Sequence, residues 1–216
     1  MGFFSGRVSC ARFRVTGRAP KSFGPDHLTK LADHAIGRQR VVPADGVQFG
    51  WTAGDHILDT RFDLAKNVVN DTLHFALRVD TQQVPADLLR AYTQVELEGL
   101  AAGNPSGRPS ARQKREARAN ARERLENEAR DGRFLRRKAY PVLWDARSGE
   151  LLAGTTSPTA IDRLRALFQQ TFGHGFETLS AGRQAFLQAE ARNQTRPLDD
   201  AGPAAFLPGE KVTELS

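Results

Sequence analysis

Five histidines and one acid-rich stretch carry the residue types that could do metal or proton chemistry. A protein metal site needs several ligands converging at about 2.0–2.6 Å from one ion. His27 and His34 lie seven residues apart in PDHLTKLADHAI (25–36), which reads as a helix. That gap is two turns, about 10.5 Å of rise, too far for one ion to bridge. GDHILDTRFD (54–63) gathers Asp55, His56, Asp59 and Asp63. Read as a strand over 56–62, it sends His56 and Asp59 to opposite faces, so turn chemistry is expected of these groups rather than a metal site. Cys10 is the single cysteine, which leaves no disulfide framework or thiolate cluster, and it is expected to be a small core residue. GHG (173–175) lacks the rest of a dinucleotide fingerprint, and neither a P-loop nor a nucleophile elbow occurs. No catalytic residue, metal ligand or cofactor is assigned, and no enzymatic activity is expected.

Cationic side chains offer a different chemistry, and they are unevenly spread. The 216 residues carry 31 Lys and Arg against 25 Asp and Glu, a formal charge of +6. Residues 110–138 hold eleven of the bases and five of the acids, so the rest of the chain balances at twenty of each. A field confined to one segment points to a polyanionic partner. Winding SARQKREARANARERLENEARDG (110–132) as a helix from Arg112 sets Lys114, Arg115, Arg118 and Arg122 at about 200°, 300°, 240° and 280°. They share roughly a third of the circumference, while Glu116 and Glu123 fall at about 40° and 20°. Leu125 is the only large apolar residue, and an alanine stripe with one leucine is too thin for a coiled-coil seam. The i,i+4 pairs Arg112–Glu116, Arg122–Glu126 and Arg124–Glu128 would suit a helix that is merely solvated. Against that stand the segregated face and the run of bases onward through Arg133, Arg136, Arg137 and Lys138.

Between Thr93 and Arg133 there is no Phe, Tyr or Trp, so the segment offers no base-stacking platform. Arg and Lys without clustered Asn or Gln suit phosphates better than base edges. The expected mode is backbone binding of DNA with little sequence preference, duplex favoured and single strand possible. An adaptor for an acidic protein and an RNA-associated factor are the competing readings of the same arm.

These side chains need elements to hold them. The 39% apolar content belongs to a globular chain, and nowhere are 18 consecutive residues apolar. MGFFSGRVSCARFRV has no apolar run of signal-peptide length. A cytoplasmic protein with no membrane partner is expected. Strands are expected at 7–15, 47–51, 56–62 and 150–156. The clearest is TLHFALRVD (72–80), with one apolar face and one polar face. RFLRRKAYPVLWD (133–145) reads as extended, and Pro141 confines it to an edge or a bulge. Pro85 opens a helix with Leu88, Tyr92, Val95 and Leu100 on one side, AAGNPSGRPS breaks the chain, and Ser110 caps the basic helix. SPTAIDRLRALFQQTFG (157–173) is the best helix: Ser157 caps it, Pro158 opens it, Gly173 ends it, and Ile161, Leu164, Phe168 and Phe172 face inward. A further short helix is expected at 183–193. The expected fold is α+β, a mixed or antiparallel sheet with flanking helices. It is formed by 1–84 and 139–195, with 85–138 as a projecting basic helical arm and 196–216 as a polar tail.

Several of these stretches are collinear with a known family. They are Gly50-Trp51, LHFALRVDTQQVPADLLRAYTQVELEGL (73–100), the basic helix, Arg133-Phe134, Trp144-Asp145, Gly149 and IDRLRALFQQTFG. In this order and spacing the chain resembles RdgC, the bacterial recombination-associated DNA-binding protein family. The resemblance spans most of residues 1–180 and implies a homodimer that encircles DNA and competes with the RecA recombinase for it, at the nucleoid. It places the basic arm at the hole of a ring and makes Phe134 and Leu135 candidates for dimer contact. Members of that family run on beyond the length of this chain. The region expected to complete a second dimer contact would begin near GEKVTELS, so the resemblance implies a truncated member or one with a single contact.

Overall fold

The computed structural model describes residues 3, 9–17, 20–38, 46–104, 107–129 and 132–202. One sheet holds seven strands: β1 (Ala11–Val15), β2 (Val47–Thr52), β3 (Val68–Val69), β4 (Thr72–Gln82), β5 (Leu135–Asp145), β6 (Glu150–Ala153) and β7 (Phe176–Thr178). They lie in the order β2-β4-β5-β6-β1-β7, with β3 also on β4. Every strand pairing is antiparallel. The helices are α1 (Pro25–Asp33), α2 (Leu64–Asn67), α3 (Ala86–Ala101), α4 (Ala111–Ala129), α5 (Pro158–Phe172), α6 (Ala181–Ala191) and α7 (Thr195–Asp199). This is an α+β fold.

Alternation explains the core. Leu73, Phe75 and Leu77 of β4 stand opposite Trp144, Val142 and Tyr140 of β5 and share one face with them. Leu28 and Leu31 of α1 and Leu164, Leu167, Phe168 and Phe172 of α5 join the same buried cluster. The Trp144 ring meets Phe23, Phe168 and Phe172 at 5.0, 5.0 and 5.2 Å between centroids. Trp51 Nε1 donates to Thr171 Oγ1 at 2.8 Å, which satisfies its buried indole. Helix α5 runs as its sequence dictates, with Ser157 at the N-cap, Pro158 first and Gly173 at φ +74° ending it. Ile161 is partly buried, and Ala160, Leu167 and Thr171 widen the inward stripe.

The second face of β4 departs from expectation. Ala76, Arg78 and Asp80, on the face read as polar, are buried. The cover is the segment expected as a strand over 56–62, which is no strand but a run of turns ending in α2. Arg78 is held by Asp80 through two bonds of 2.7 and 2.6 Å and donates to the Ile57 carbonyl at 3.2 Å. Asn67 Nδ2 donates to the Ala53 and His74 carbonyls, each at 2.7 Å. The acids of this segment serve its turns. Asp59 accepts from Arg61 N at 3.1 Å and Lys66 Nζ at 2.6 Å, and Asp63 caps α2 by accepting from Ala65 N at 2.8 Å. Burial pushes the Asp59 carboxyl up, but the bonds from Lys66 and Arg61 outweigh it and hold the group below its ordinary pKa. Side chains that bond their own backbone compete with a ladder, which is why no strand forms.

Three other expectations are corrected or refined. Cys10 is exposed rather than in the core, because it lies just outside the first ladder pair, Ala11 with Ala153. Pro141 lies on a strand placed between β4 and β6, yet one residue past the last β5–β6 rung, Val142 with Ala153, so it stands where that side of β5 becomes an edge. Its carbonyl accepts from Gly154 N at 2.7 Å, and proline has no N–H to return the bond. The tail begins with α7, and β7 is an added strand that the sequence reading lacked. Residues 7–8, 130–131 and 203–216 of the expected elements lie outside the described residues.

Candidate nucleic-acid interface

The basic segment is mounted on the longest ladder in the fold. β4 and β5 pair without a break from Thr72 with Asp145 to Gln82 with Leu135. β5 therefore runs straight through the boundary expected at 138/139. Beyond that last rung the chain makes a hairpin of α3 and α4. At the distal end Ser110 Oγ accepts from Gln113 N at 3.3 Å and Gln113 Oε1 accepts from Ser110 N at 2.8 Å, a reciprocal capping box. Gln113 Nε2 also donates to the Leu100 carbonyl at 3.1 Å, tying the start of α4 to the end of α3. At the root Gln82 Nε2 donates to the Ala129 carbonyl, and Gly132 at φ +76° turns the chain toward β5.

The seam between the helices corrects the sequence reading. Ala117, Ala121, Leu125 and Ala129 are at most 5% exposed, so the stripe judged too thin for a coiled-coil seam is nonetheless buried, against α3. Alanines four apart form a smooth ridge that lets a second helix approach closely, so each small side chain is fully covered. α3 gives up no fully buried residue of its own. Its half-buried side runs through Leu89, Thr93 and Leu97, while Val95, expected inward, is 57% exposed. A polar clamp crosses the seam. Tyr92 Oη donates to Glu128 Oε1 at 2.9 Å, and the Arg124 guanidinium lies 4.3 Å over the Tyr92 ring and 3.6 Å from Glu128. The bond to that carboxylate raises the Tyr92 hydroxyl above its ordinary pKa.

Of the three i,i+4 pairs, Arg124–Glu128 forms. Arg112, Lys114, Arg115, Arg118 and Arg122 are exposed and make no ion pair among the described residues. Arg115, Arg118 and Arg122 line a shallow groove together with Glu123 and Glu126. The opposite flank of Arg118 borders a second groove with Leu89, Thr93 and Leu97 of α3.

The bases of β5 form a separate set at the root. Arg136 donates to Gln83 Oε1 at 2.9 Å. Arg137 lies 3.7 Å from Asp80, a carboxylate already engaged by Arg78. Lys138 and Arg133 are exposed. Phe134 and Leu135 are half-buried at this root, where the Phe134 carbonyl accepts from Gln83 N at 3.0 Å. The distal loop is a helix length away, about 24 Å for 16 residues.

The residues that the sequence reading missed are among those that position this surface: Gln82, Gln83 and Gln113. Only Gln113 had a signal, as the fourth residue of S-x-x-Q. No described helix is long and apolar enough to cross a membrane. No protein-family model matches the chain, and no curated protein matches it.

Proposed function

We propose that this protein is a non-enzymatic DNA-binding protein that grips phosphates with the exposed face of α4 and reads little sequence. By occupying or encircling DNA it would restrain RecA-dependent recombination, a role that the resemblance to RdgC supplies together with homodimerisation and a place at the nucleoid. One observation carries the binding reading. Five cations stand without an ion pair among the described residues, along one helix whose apolar stripe is already covered by α3. Of the i,i+4 pairs that would neutralise part of this face, Arg112–Glu116 and Arg122–Glu126 are not formed among the described residues, which leaves the positive charge available to a polyanion.

Counterion release gives the test. In a salt-graded gel shift on duplex DNA, Arg115→Ala/Arg118→Ala/Arg122→Ala should weaken retention and reduce the salt slope by about one unit for each phosphate contact removed. An unchanged affinity and slope would remove α4 from the interface. Absence of any DNA retention would favour an acidic protein partner, and preference for RNA duplex or loops would favour an RNA role. Strand exchange by RecA on the same DNA, slowed by wild type and not by the triple variant, tests the recombination step.

A further inference from the structure

One side of β5 is left without a partner strand among the described residues over part of its length. β4 pairs with it along its whole length, whereas β6 pairs only Val142–Trp144 and the ladder closes at Gly154 on Pro141. In an antiparallel strand the N–H and C=O of one residue point the same way and alternate along the chain. The Pro141 carbonyl points toward β6, so Arg137 and Ala139 aim their polar groups the same way, into the open side. Neither makes a backbone bond there among the described residues, and positions 136–139 are all exposed. The open stretch, residues 135–140, is about 20 Å of strand.

A free edge is a template for another extended chain, and its charge selects which one. Arg136 and Lys138 share one face of the strand, and Arg137 projects from the other. A second copy paired through this edge would set its bases against their counterparts, which repels. A neutral strand leaves the charges of Arg136, whose one partner is the neutral Gln83, and of Lys138 uncompensated. An extended segment with carboxylates at alternate positions satisfies both the backbone and the charge.

We infer that the open edge of β5 at Arg137–Ala139 accepts an extended acidic peptide as an added strand, its alternate carboxylates meeting Arg136 and Lys138. The inference does not rest on the DNA reading, because it uses main-chain groups that a phosphate backbone cannot pair as a ladder. Peptide and DNA would nevertheless compete for Arg136 and Lys138, while α4 stays free.

The test uses the full chain and an eight-residue peptide of alternating valine and glutamate, blocked at both ends. Adding it should slow amide exchange at Arg137 and Ala139. Ala139→Pro removes the outward N–H without breaking a native ladder bond, so peptide binding should weaken about tenfold. Duplex binding by that variant should persist. The same peptide N-methylated at alternate amides, on wild-type protein, should bind as weakly, which covers the case of a variant that fails to fold. Equal binding by the N-methylated peptide, with no protection at Arg137 and Ala139, would mean adsorption by charge alone and overturn the inference. Protection of those amides by duplex DNA but not by the peptide would assign the edge to nucleic acid and overturn it equally. Loss of DNA binding in the Arg115/Arg118/Arg122 variant bears only on the DNA reading.

Discussion

Gly154 and Pro141 meet so closely that Gly154 has no room for a side chain while the proline ring is present. A Cβ on Gly154 would stand 2.5 Å from Pro141 Cγ. Gly154→Ala should therefore cost about 1–3 kcal/mol and lower Tm, and Pro141→Ala in the same chain should recover most of the loss. The two substitutions measured singly and together decide this. Buried charge behaves differently. Asp80 is 4% exposed and holds Arg78 by two bonds, so Asp80→Ala leaves a buried guanidinium uncompensated, a loss of about 3–5 kcal/mol in a urea melt. Two histidines set a pH dependence. Burial lowers the His27 pKa, helped by Lys30, and burial alone lowers that of His74. The unfolded chain takes these protons near pH 6.5 while the folded one resists them, so unfolding takes up protons as the pH falls through that value. Stability should hold above about pH 6.5 and decline below it, and His27→Gln/His74→Gln should flatten the decline.

The arm is held as an element by its ends and its seam. Ala121 is fully buried between α3 and α4, so Ala121→Leu should force the helices apart at a cost of about 1–3 kcal/mol. Limited proteolysis should then cut within 86–129. Fluorescence from Trp51 and Trp144, both in the sheet core, should not change. Gln113→Ala removes half of the capping box and the bond to Leu100, and should fray the distal end by about 1 kcal/mol. Helix α5 was legible in the sequence because its cap, its terminator and its stripe are all local. The cationic face of α4 was legible because periodicity alone sets it. The alanine seam was not, since what an alanine contributes depends on how near its partner helix comes. β7 is three residues long, too short to show alternation. The burial of Arg78 and Asp80 was hidden for another reason, because their cover comes from residues 53–67, distant in sequence and rich in polar side chains.

For the whole molecule, assembly and DNA binding can be read together by sedimentation. If the homodimer implied by the resemblance forms, the chain should sediment at twice its monomer mass and move further when duplex is added. A monomer at every concentration, bound or free, would remove the ring from the proposal while leaving the cationic face in place. The ladder between β4 and β5 has a further consequence. Gln82 and Leu135 are partners on one rung, so everything between them leaves and returns across a gap of about 5 Å. A gap of that size can be bridged by a two-residue turn such as Asn-Gly. The arm is thus a detachable cassette. A protein with residues 84–133 replaced by such a turn, behind the hydrogen-bonded pair Gln83 and Phe134, should keep the sheet, the tryptophan environment and cooperative melting, and should lose the cations of α4 in one stroke. Cassettes with other helical hairpins could be grafted at the same rung without disturbing the body that carries them.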